Sequence, residues 1–88
     1  MKKKLKTDIE LYVIGKVRER RVALKLSQDD LAFFLDTDRS FIGLVESPNS
    51  RAKYNLNHLN KLAKEMKCSL KDFMPDGFIA EAAGKKNR

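Results

Sequence analysis

The sequence predicts one compact all-α domain of five short helices, and three observations support this fold class. The chain has 88 residues, which suffices for one small domain and leaves little room for a second. Only two prolines and four glycines interrupt it, and no segment of strand length alternates apolar and polar residues between turn residues. Apolar residues recur instead at helical spacing, and residues typical of helix N-caps precede these segments.

The first helix is predicted from about Asp8 to Lys25, and residues 1–7 before it form a basic N-terminal arm. Thr7 or Asp8 is the expected N-cap, because short polar side chains accept hydrogen bonds from the first free N–H groups of a helix. One stripe of this helix has helical spacing and is predicted to face inward; it consists of Ile14, Val17, Arg21 and Leu24.

The second and third predicted helices are short and closely spaced in the chain. Ser27 and Asp30 match a capping box, which begins a helix over Gln28–Leu35. The segment Asp36–Asp38 predicts a turn, since its first Asp tolerates a left-handed backbone and its last Asp is a good N-cap. The third helix is predicted over Arg39–Glu46, and its spacing directs three residues inward: Phe41, Ile42 and Val45.

Two further helices complete the predicted domain, which spans residues 8–74. Ser47–Ser50 is a loop by composition. Asn55 is the expected N-cap of a fourth helix, Leu56–Met66, and one face of it is apolar: Leu56, Leu59, Leu62, Ala63 and Met66. Ser69–Asp72 matches a second capping box and begins a short fifth helix that ends by Met74. Residues 75–88 are predicted to be a partly disordered tail.

The composition excludes several classes of protein. One cysteine cannot form an internal disulfide, which favours a reducing, cytoplasmic environment, and one cysteine with one histidine cannot build an internal Cys/His zinc site. The longest apolar run is Leu31–Leu35, far short of the roughly 20 residues that span a membrane. No nucleophile–base pair, metal cluster or Gly-rich phosphate loop is recognisable, so we expect neither an enzyme nor a bound cofactor.

The net charge of +7 favours a polyanionic partner, and the charge is unevenly distributed. Residues 1–26 carry a net charge of +6, residues 27–46 carry −4, and residues 47–74 carry +4. The segments on either side of the second and third helices can therefore contact phosphates.

Two short helices joined by a three-residue turn and followed by a basic loop have the layout of a helix-turn-helix. Residues 27–46 resemble the signature of the Cro and lambda-repressor type, also called the xenobiotic-response-element family. The matching positions are Ser27, Gln28, Leu31, Ala32, Leu35, Ile42 and Glu46. The resemblance extends over about residues 13–74, and its later matches include Leu59, Leu62, Ala63, Lys64, Cys68, Ser69, Leu70 and Phe73.

This resemblance implies a lambda-repressor-like domain that binds double-stranded DNA and regulates transcription. The expected form of regulation is repression. It implies a homodimer on a near-palindromic operator, with helix 39–46 of each copy in the major groove and helix 28–35 across the phosphate backbone. Such a protein is expected in a bacterial or phage-type cytoplasm, associated with the nucleoid, with no membrane partner.

The resemblance also implies roles for individual residues. The expected base contacts are Arg39, Ser40, Gly43 and Leu44, and the expected phosphate contacts are Gln28, Asn49, Ser50, Arg51 and Lys53. Arg39 could instead bind a phosphate or Asp36, and Leu44 could belong to an interface or the core. The family usually has polar side chains at positions 43 and 44, so this sequence departs from it there.

Arg21 and Glu46 are expected to form a structural ion pair between the first and third helices, as the resemblance implies. Phe33 and Phe34 stand where the family usually has polar residues. Either Ile9, Tyr12 and Val13 cover them, which we favour, or they form a contact with another protein. The latter supports an alternative function, an antitoxin-like or adaptor module that binds a protein partner through these residues or the C-terminal segment.

Overall fold

The computed structural model describes residues 4–80, and within them four α-helices and one 3-10 helix surround a single core. The helices are α1 (Asp8–Ala23), α2 (Gln28–Leu35), α3 (Arg39–Glu46) and α4 (Leu56–Glu65). The fifth predicted helix is a 3-10 helix, Leu70–Phe73, because one turn of four residues is too short to establish α-helical hydrogen bonding. The all-α fold class is confirmed. The ends of the chain, including most of the tail predicted to be disordered, lie outside the described residues.

Every helix begins at the polar residue that the sequence predicts as its N-cap. Four of these caps are complete capping boxes, in which the cap side chain and the side chain three residues later each bind the other's backbone N–H: Thr7 with Glu10, Ser27 with Asp30, Asn55 with His58, and Ser69 with Asp72. Asp38 caps α3 by accepting a hydrogen bond from the Phe41 N–H. The chain entry into each helix is therefore set by interactions over three residues.

Three helices end in the same way, with a single residue in the left-handed region. Lys25, Asp36 and Lys67 have φ angles of 61°, 58° and 56°. After each helix the next two N–H groups bind carbonyls of the last turn, as in a Schellman motif. Asp36 was predicted to take this conformation. The two lysines were not, and α1 consequently ends at Ala23, two residues before the predicted end.

The core lies between the inward faces of the helices. Its fully buried large side chains are Val17, Leu31, Ile42, Val45, Leu62, Met66 and Phe73. Two residues predicted to face inward are exposed instead, Leu24 (44%) and Leu56 (71%). Leu24 follows the last residue of α1 and Leu56 is the first residue of α4, so each lies at a helix end beyond the packed turns. Within residues 4–80, no helix is long and apolar enough to cross a lipid bilayer.

The prediction that the N-terminal part of α1 covers Phe33 is wrong. The Phe33 side chain is 81% exposed, because the neighbouring residues Leu31 and Ala32 occupy the buried face of α2. Ile9 and Val13 line a different surface, beside Tyr54 and Leu59. Phe34, in contrast, is half-buried and packs against the core, with its ring 6.4 Å from that of Phe33 in an edge-on arrangement.

Candidate nucleic-acid interface

The α2–turn–α3 unit is held together by its own backbone. The Thr37 N–H donates to the Ala32 carbonyl (2.9 Å), and the Asp36 N–H donates to the Phe33 carbonyl (3.2 Å). Ala32 is only 4% exposed, and this small residue lets α2 pack closely on the neighbouring helices. The turn therefore reverses the chain over three residues and presents α3 at a fixed angle to α2.

The two faces of α3 differ completely in exposure. Ile42 and Val45 are fully buried and hold the helix on the domain. Arg39 and Ser40 are exposed, and Leu44 is 51% exposed one turn further along. Three of the four predicted base-contacting residues thus share the outer surface of this eight-residue helix, and the fourth, Gly43, is half-buried.

At the N-terminal end of α3 the polar groups bind one another. The Asp38 carboxylate accepts hydrogen bonds from the Ser40 hydroxyl (2.6 Å) and the Phe41 N–H (3.3 Å). These hydrogen bonds, the Ser40 bond above all, hold the pKa of Asp38 below its ordinary value. Within residues 4–80 Arg39 has no hydrogen-bond or ion-pair partner, so it does not form the alternative salt bridge to Asp36.

Gln28 and Gly43 meet where α2 begins beside α3. The Gln28 side chain is half-buried and donates a hydrogen bond to a Glu46 carboxylate oxygen (3.0 Å), so one of its two amide N–H donors is used within the domain. A methyl group on Gly43 would lie 3.6 Å from the Gln28 side-chain oxygen, an ordinary contact. Space therefore does not require glycine at this position, although glycine costs a helix about 1 kcal/mol relative to alanine.

The C-terminal end of α3 is anchored by an ion pair. The Arg21 guanidinium donates two hydrogen bonds to the Glu46 carboxylate, each 2.9 Å long, and a third to the Leu26 carbonyl (2.9 Å). The side chains are 12% and 5% exposed, respectively. Arg21 thus joins α1, the α1–α2 turn and α3 at one point.

Lys6 is a second anchor for this end of α3. Its ammonium donates to the carbonyls of Leu44 (3.3 Å), Ser47 and Ser50 (2.5 Å), and the residue is 3% exposed. Burial lowers the pKa of Lys6; the Glu10 carboxylate opposes this change, and the nearby Lys53 adds to it. Sequence reasoning assigned this residue to the basic N-terminal arm. The available signal was its place directly before the N-cap Thr7, where an apolar residue is common.

The loop after α3 contains the predicted phosphate-contact residues, and only some of their side chains form hydrogen bonds or ion pairs within the domain. Asn49 and Arg51 are exposed, and in the described part of the chain their side chains have no hydrogen-bond partner. The Ser50 hydroxyl accepts a hydrogen bond from the Ala52 N–H (3.0 Å). Lys53 forms an ion pair with Glu10 (2.6 Å), and its side chain remains 49% exposed. Burial raises the pKa of Glu10, but the hydrogen bonds from Lys53 and Thr7 outweigh it and lower the pKa overall.

The class of helix-turn-helix DNA-binding domains has three features that are all present here. The third helix is buried on one face, a three-residue turn precedes it, and a basic loop follows it. Among solved structures, the restriction-modification controller protein C.AhdI from Aeromonas hydrophila is 34% identical, over 73% of this chain and 96% of that chain, with a TM-score of 0.61. The chain belongs to the Cro/lambda-repressor-type family of helix-turn-helix, DNA-binding transcriptional regulators.

Two other solved structures share the fold. A hypothetical transcription factor, NHTF from Neisseria, is 24% identical over 77% of this chain and 76% of that chain, with a TM-score of 0.65. The iron(II) form of HppE with substrate is 16% identical over 90% of this chain but only 44% of that chain, with a TM-score of 0.67. At this identity each match shows a common fold. No protein-family model matches the chain, and no curated protein sequence does.

Proposed function

We propose that this protein is a sequence-specific repressor that binds operator DNA as a homodimer, with α3 in the major groove. The observation that carries the proposal is the exposure of Arg39, Ser40 and Leu44 on a helix whose opposite residues, Ile42 and Val45, are fully buried. Such a helix can enter a groove without any rearrangement of the domain. The 34% identity with a restriction-modification controller protein supports a regulatory role of this kind.

In this proposal the N-terminal end of α3 contacts base edges. Arg39 can bind a guanine with two hydrogen bonds, worth about 1–3 kcal/mol of discrimination. Ser40 can donate to a base once its hydroxyl leaves Asp38, and Leu44 can contact a thymine methyl group. Gly43 has no side chain, so its role is to allow close approach of the helix backbone.

Phosphate contacts come from the residues around α3. Asn49, Ser50 and Arg51 lie on the loop after it, and Arg51 is exposed. Lys53 can contact a phosphate while it remains paired with Glu10, because half of its side chain is exposed. Gln28 contributes through its position at the start of α2, where helix N–H groups favour anions. A repressor of this design blocks transcription by occupying the two half-sites of a near-palindrome.

The test is selection of bound sequences from a random pool of duplex DNA, followed by a salt series on the selected duplex. We expect affinity to fall as salt rises, because each phosphate contact releases counterions. Arg39→Ala should relax the sequence preference, whereas Arg51→Ala should weaken binding to every duplex alike and reduce the salt dependence. Lys61→Ala, on the exposed side of α4, removes the same charge and is the control.

A second candidate function is a module that binds a protein partner, and the exposure of Phe33 favours it. The Phe33 side chain is 81% exposed and lies beside the half-buried Phe34, and an exposed apolar patch is a feature of protein interfaces. If Arg39→Ala and Arg51→Ala leave DNA affinity unchanged while Phe33→Ser abolishes a protein complex, the interaction module replaces the repressor as the conclusion.

A further inference from the structure

Lys6 is buried in a way that lysine rarely is. Lysine side chains are almost never fully buried unless they are paired, yet Lys6 is only 3% exposed. An ammonium group has three N–H donors. All three are matched here by backbone carbonyls, those of Leu44, Ser47 and Ser50. The hydrogen-bonding capacity of the group is therefore used entirely within the domain.

These three carbonyls belong to two functional segments. Leu44 lies in the last turn of α3, where its carbonyl also accepts a hydrogen bond from the Ser47 N–H (3.2 Å), and Ser47 is the C-cap of the helix. They also lie at the negative end of the helix dipole, which favours a cation. Ser50 lies in the loop that carries Asn49 and Arg51. One ammonium group thus connects the end of α3 to the proposed phosphate-contacting loop.

A second connection lies four residues further along the chain. Glu10 forms an ion pair with Lys53 at the far end of the same loop, and its carboxylate is held in place by the Thr7 N–H (2.9 Å). Residues 6–10 therefore bind residues 44–53 at two points. Because α1 is fixed in the core by Val17 and its neighbours, these two points tie α3 and the loop to a rigid part of the domain.

We propose that Lys6 is a positioning residue for DNA recognition, which fixes the tilt of α3 and its distance from the phosphate-contacting loop. This inference rests on the proposed function. An eight-residue helix is about 12 Å long, so a tilt of about ten degrees at its C-terminal end moves the N-terminal end by roughly 2 Å. That displacement exceeds what a hydrogen bond to a base edge tolerates. Lys6 acts on Arg39 and Ser40 without contacting DNA.

The experiment compares Lys6→Met with the unmodified protein. Methionine keeps an unbranched side chain of similar length but removes the charge and all three donors. The two DNA ligands are the duplex selected by the unmodified protein and a scrambled duplex of equal composition. We expect the affinity ratio between them to fall about tenfold, as for the loss of one base contact. Affinity for the scrambled duplex and the salt slope should stay close to those of the unmodified protein. Lys61→Met is the charge-matched control and should preserve all three quantities.

Two other roles for Lys6 give different results. If Lys6 contacts a phosphate, Lys6→Met lowers the affinity for both duplexes equally and reduces the slope of log affinity against log salt concentration by about 0.9. If Lys6 only stabilises the fold, the melting temperature falls but the affinity ratio of the folded variant is unchanged. Either result overturns the proposal.

Lys6→Arg keeps the charge and is the second variant to test if Lys6→Met does not fold. The planar guanidinium does not fit three carbonyls that converge on one nitrogen, so we expect the affinity ratio to fall with this variant as well. An unchanged ratio would contradict the proposal.

A measurement without DNA separates this inference from the proposed function. In the two-dimensional NMR spectrum of the free protein, Lys6→Met should shift the amide signals of Arg39 and Ser40, although Lys6 does not contact these residues. Unchanged signals would count against a positioning role for Lys6. If the unmodified protein selects no DNA sequence, the repressor proposal fails regardless of these shifts. If it selects one and Lys6→Met retains the full affinity ratio, only the positioning role fails.

Discussion

The two ends of α3 are built in opposite ways. At the N-terminal end, here called the recognition end (Asp38–Ser40), all residues are exposed and the hydrogen bonds stay within residues 38–41. At the C-terminal end, here called the anchored end (Glu46 and Ser47), the Glu46 side chain is 5% exposed and receives hydrogen bonds from two other segments. The Ser47 carbonyl accepts a further bond from Lys6.

In the proposed function, this difference separates the part of α3 that sets its orientation from the part that contacts bases. A buried ion pair contributes little net stability, because desolvation of the charges offsets their attraction. It does, however, favour one arrangement strongly, since any displacement leaves a buried charge without its partner. The anchored end therefore sets where the helix points. The side chains of the recognition end form no hydrogen bond or ion pair with the described chain outside residues 38–41, and they remain available to a ligand.

The largest effect is expected from breaking the anchored end with Glu46→Ala. Removal of this carboxylate leaves the Arg21 guanidinium buried without its partner and deprives Gln28 of its acceptor. We expect the free energy of unfolding to fall by about 3–5 kcal/mol. Urea denaturation followed by circular dichroism measures the change.

Glu19→Ala is the matched control for this substitution. Glu19 forms an ion pair with Lys16 on the surface of α1, its side chain is 74% exposed, and its loss should change stability by less than about 1 kcal/mol. If Glu46→Ala lowers the free energy of unfolding no more than Glu19→Ala does, the C-terminal end of α3 is not anchored by the Glu46 carboxylate.

The recognition end could be predicted from the sequence, because its interactions are local. A capping side chain and the N–H group that it binds are three residues apart, so Ser27, Asp38 and Asn55 located the starts of α2, α3 and α4 correctly. The bounds of α2 and α3 agree with the prediction at both ends.

The anchored end could not be predicted in this way, because its contacts join distant parts of the chain. The Arg21–Glu46 pair was expected only from the family resemblance. Lys6 binds carbonyls 38 to 44 residues away, and no periodicity in the sequence indicates such a contact. The exposure of Phe33 was missed for the same reason, since whether another segment covers a side chain is decided by tertiary packing.

A smaller effect is expected at the recognition end from Asp38→Ala. This substitution removes the N-cap of α3 and frees the Ser40 hydroxyl. We expect the melting temperature to fall by about 5 °C, the usual effect of a lost cap in a domain of this size. Asp38→Asn keeps a capping oxygen and should restore most of the loss, which thermal unfolding will show.

The same carboxylate makes the recognition end sensitive to acid. The pKa of Asp38 is below its ordinary value in the folded protein, so its contribution to stability is complete well above that ordinary value and disappears as the pH falls through the lowered pKa. The stability difference between the unmodified protein and Asp38→Asn should therefore shrink as the pH falls below about 5. A difference that is constant across this range would show that the Asp38 charge does not stabilise α3.

The smallest effect is expected from Asp36→Gly, in the turn directly before the recognition end. Asp36 has a φ of 58°, which glycine adopts without the steric cost of a side chain. Glycine also gives the unfolded chain more freedom, so we expect a net gain of only a few tenths of a kcal/mol. Asp36→Asn removes the same charge but keeps the side chain, so the difference between the two variants isolates the backbone term. At low salt both variants should bind DNA more tightly than the unmodified protein, and by the same factor, because both remove one negative charge beside α3. If Asp36→Gly instead lowered sequence preference, the turn as well as the anchored end would control the direction of the helix.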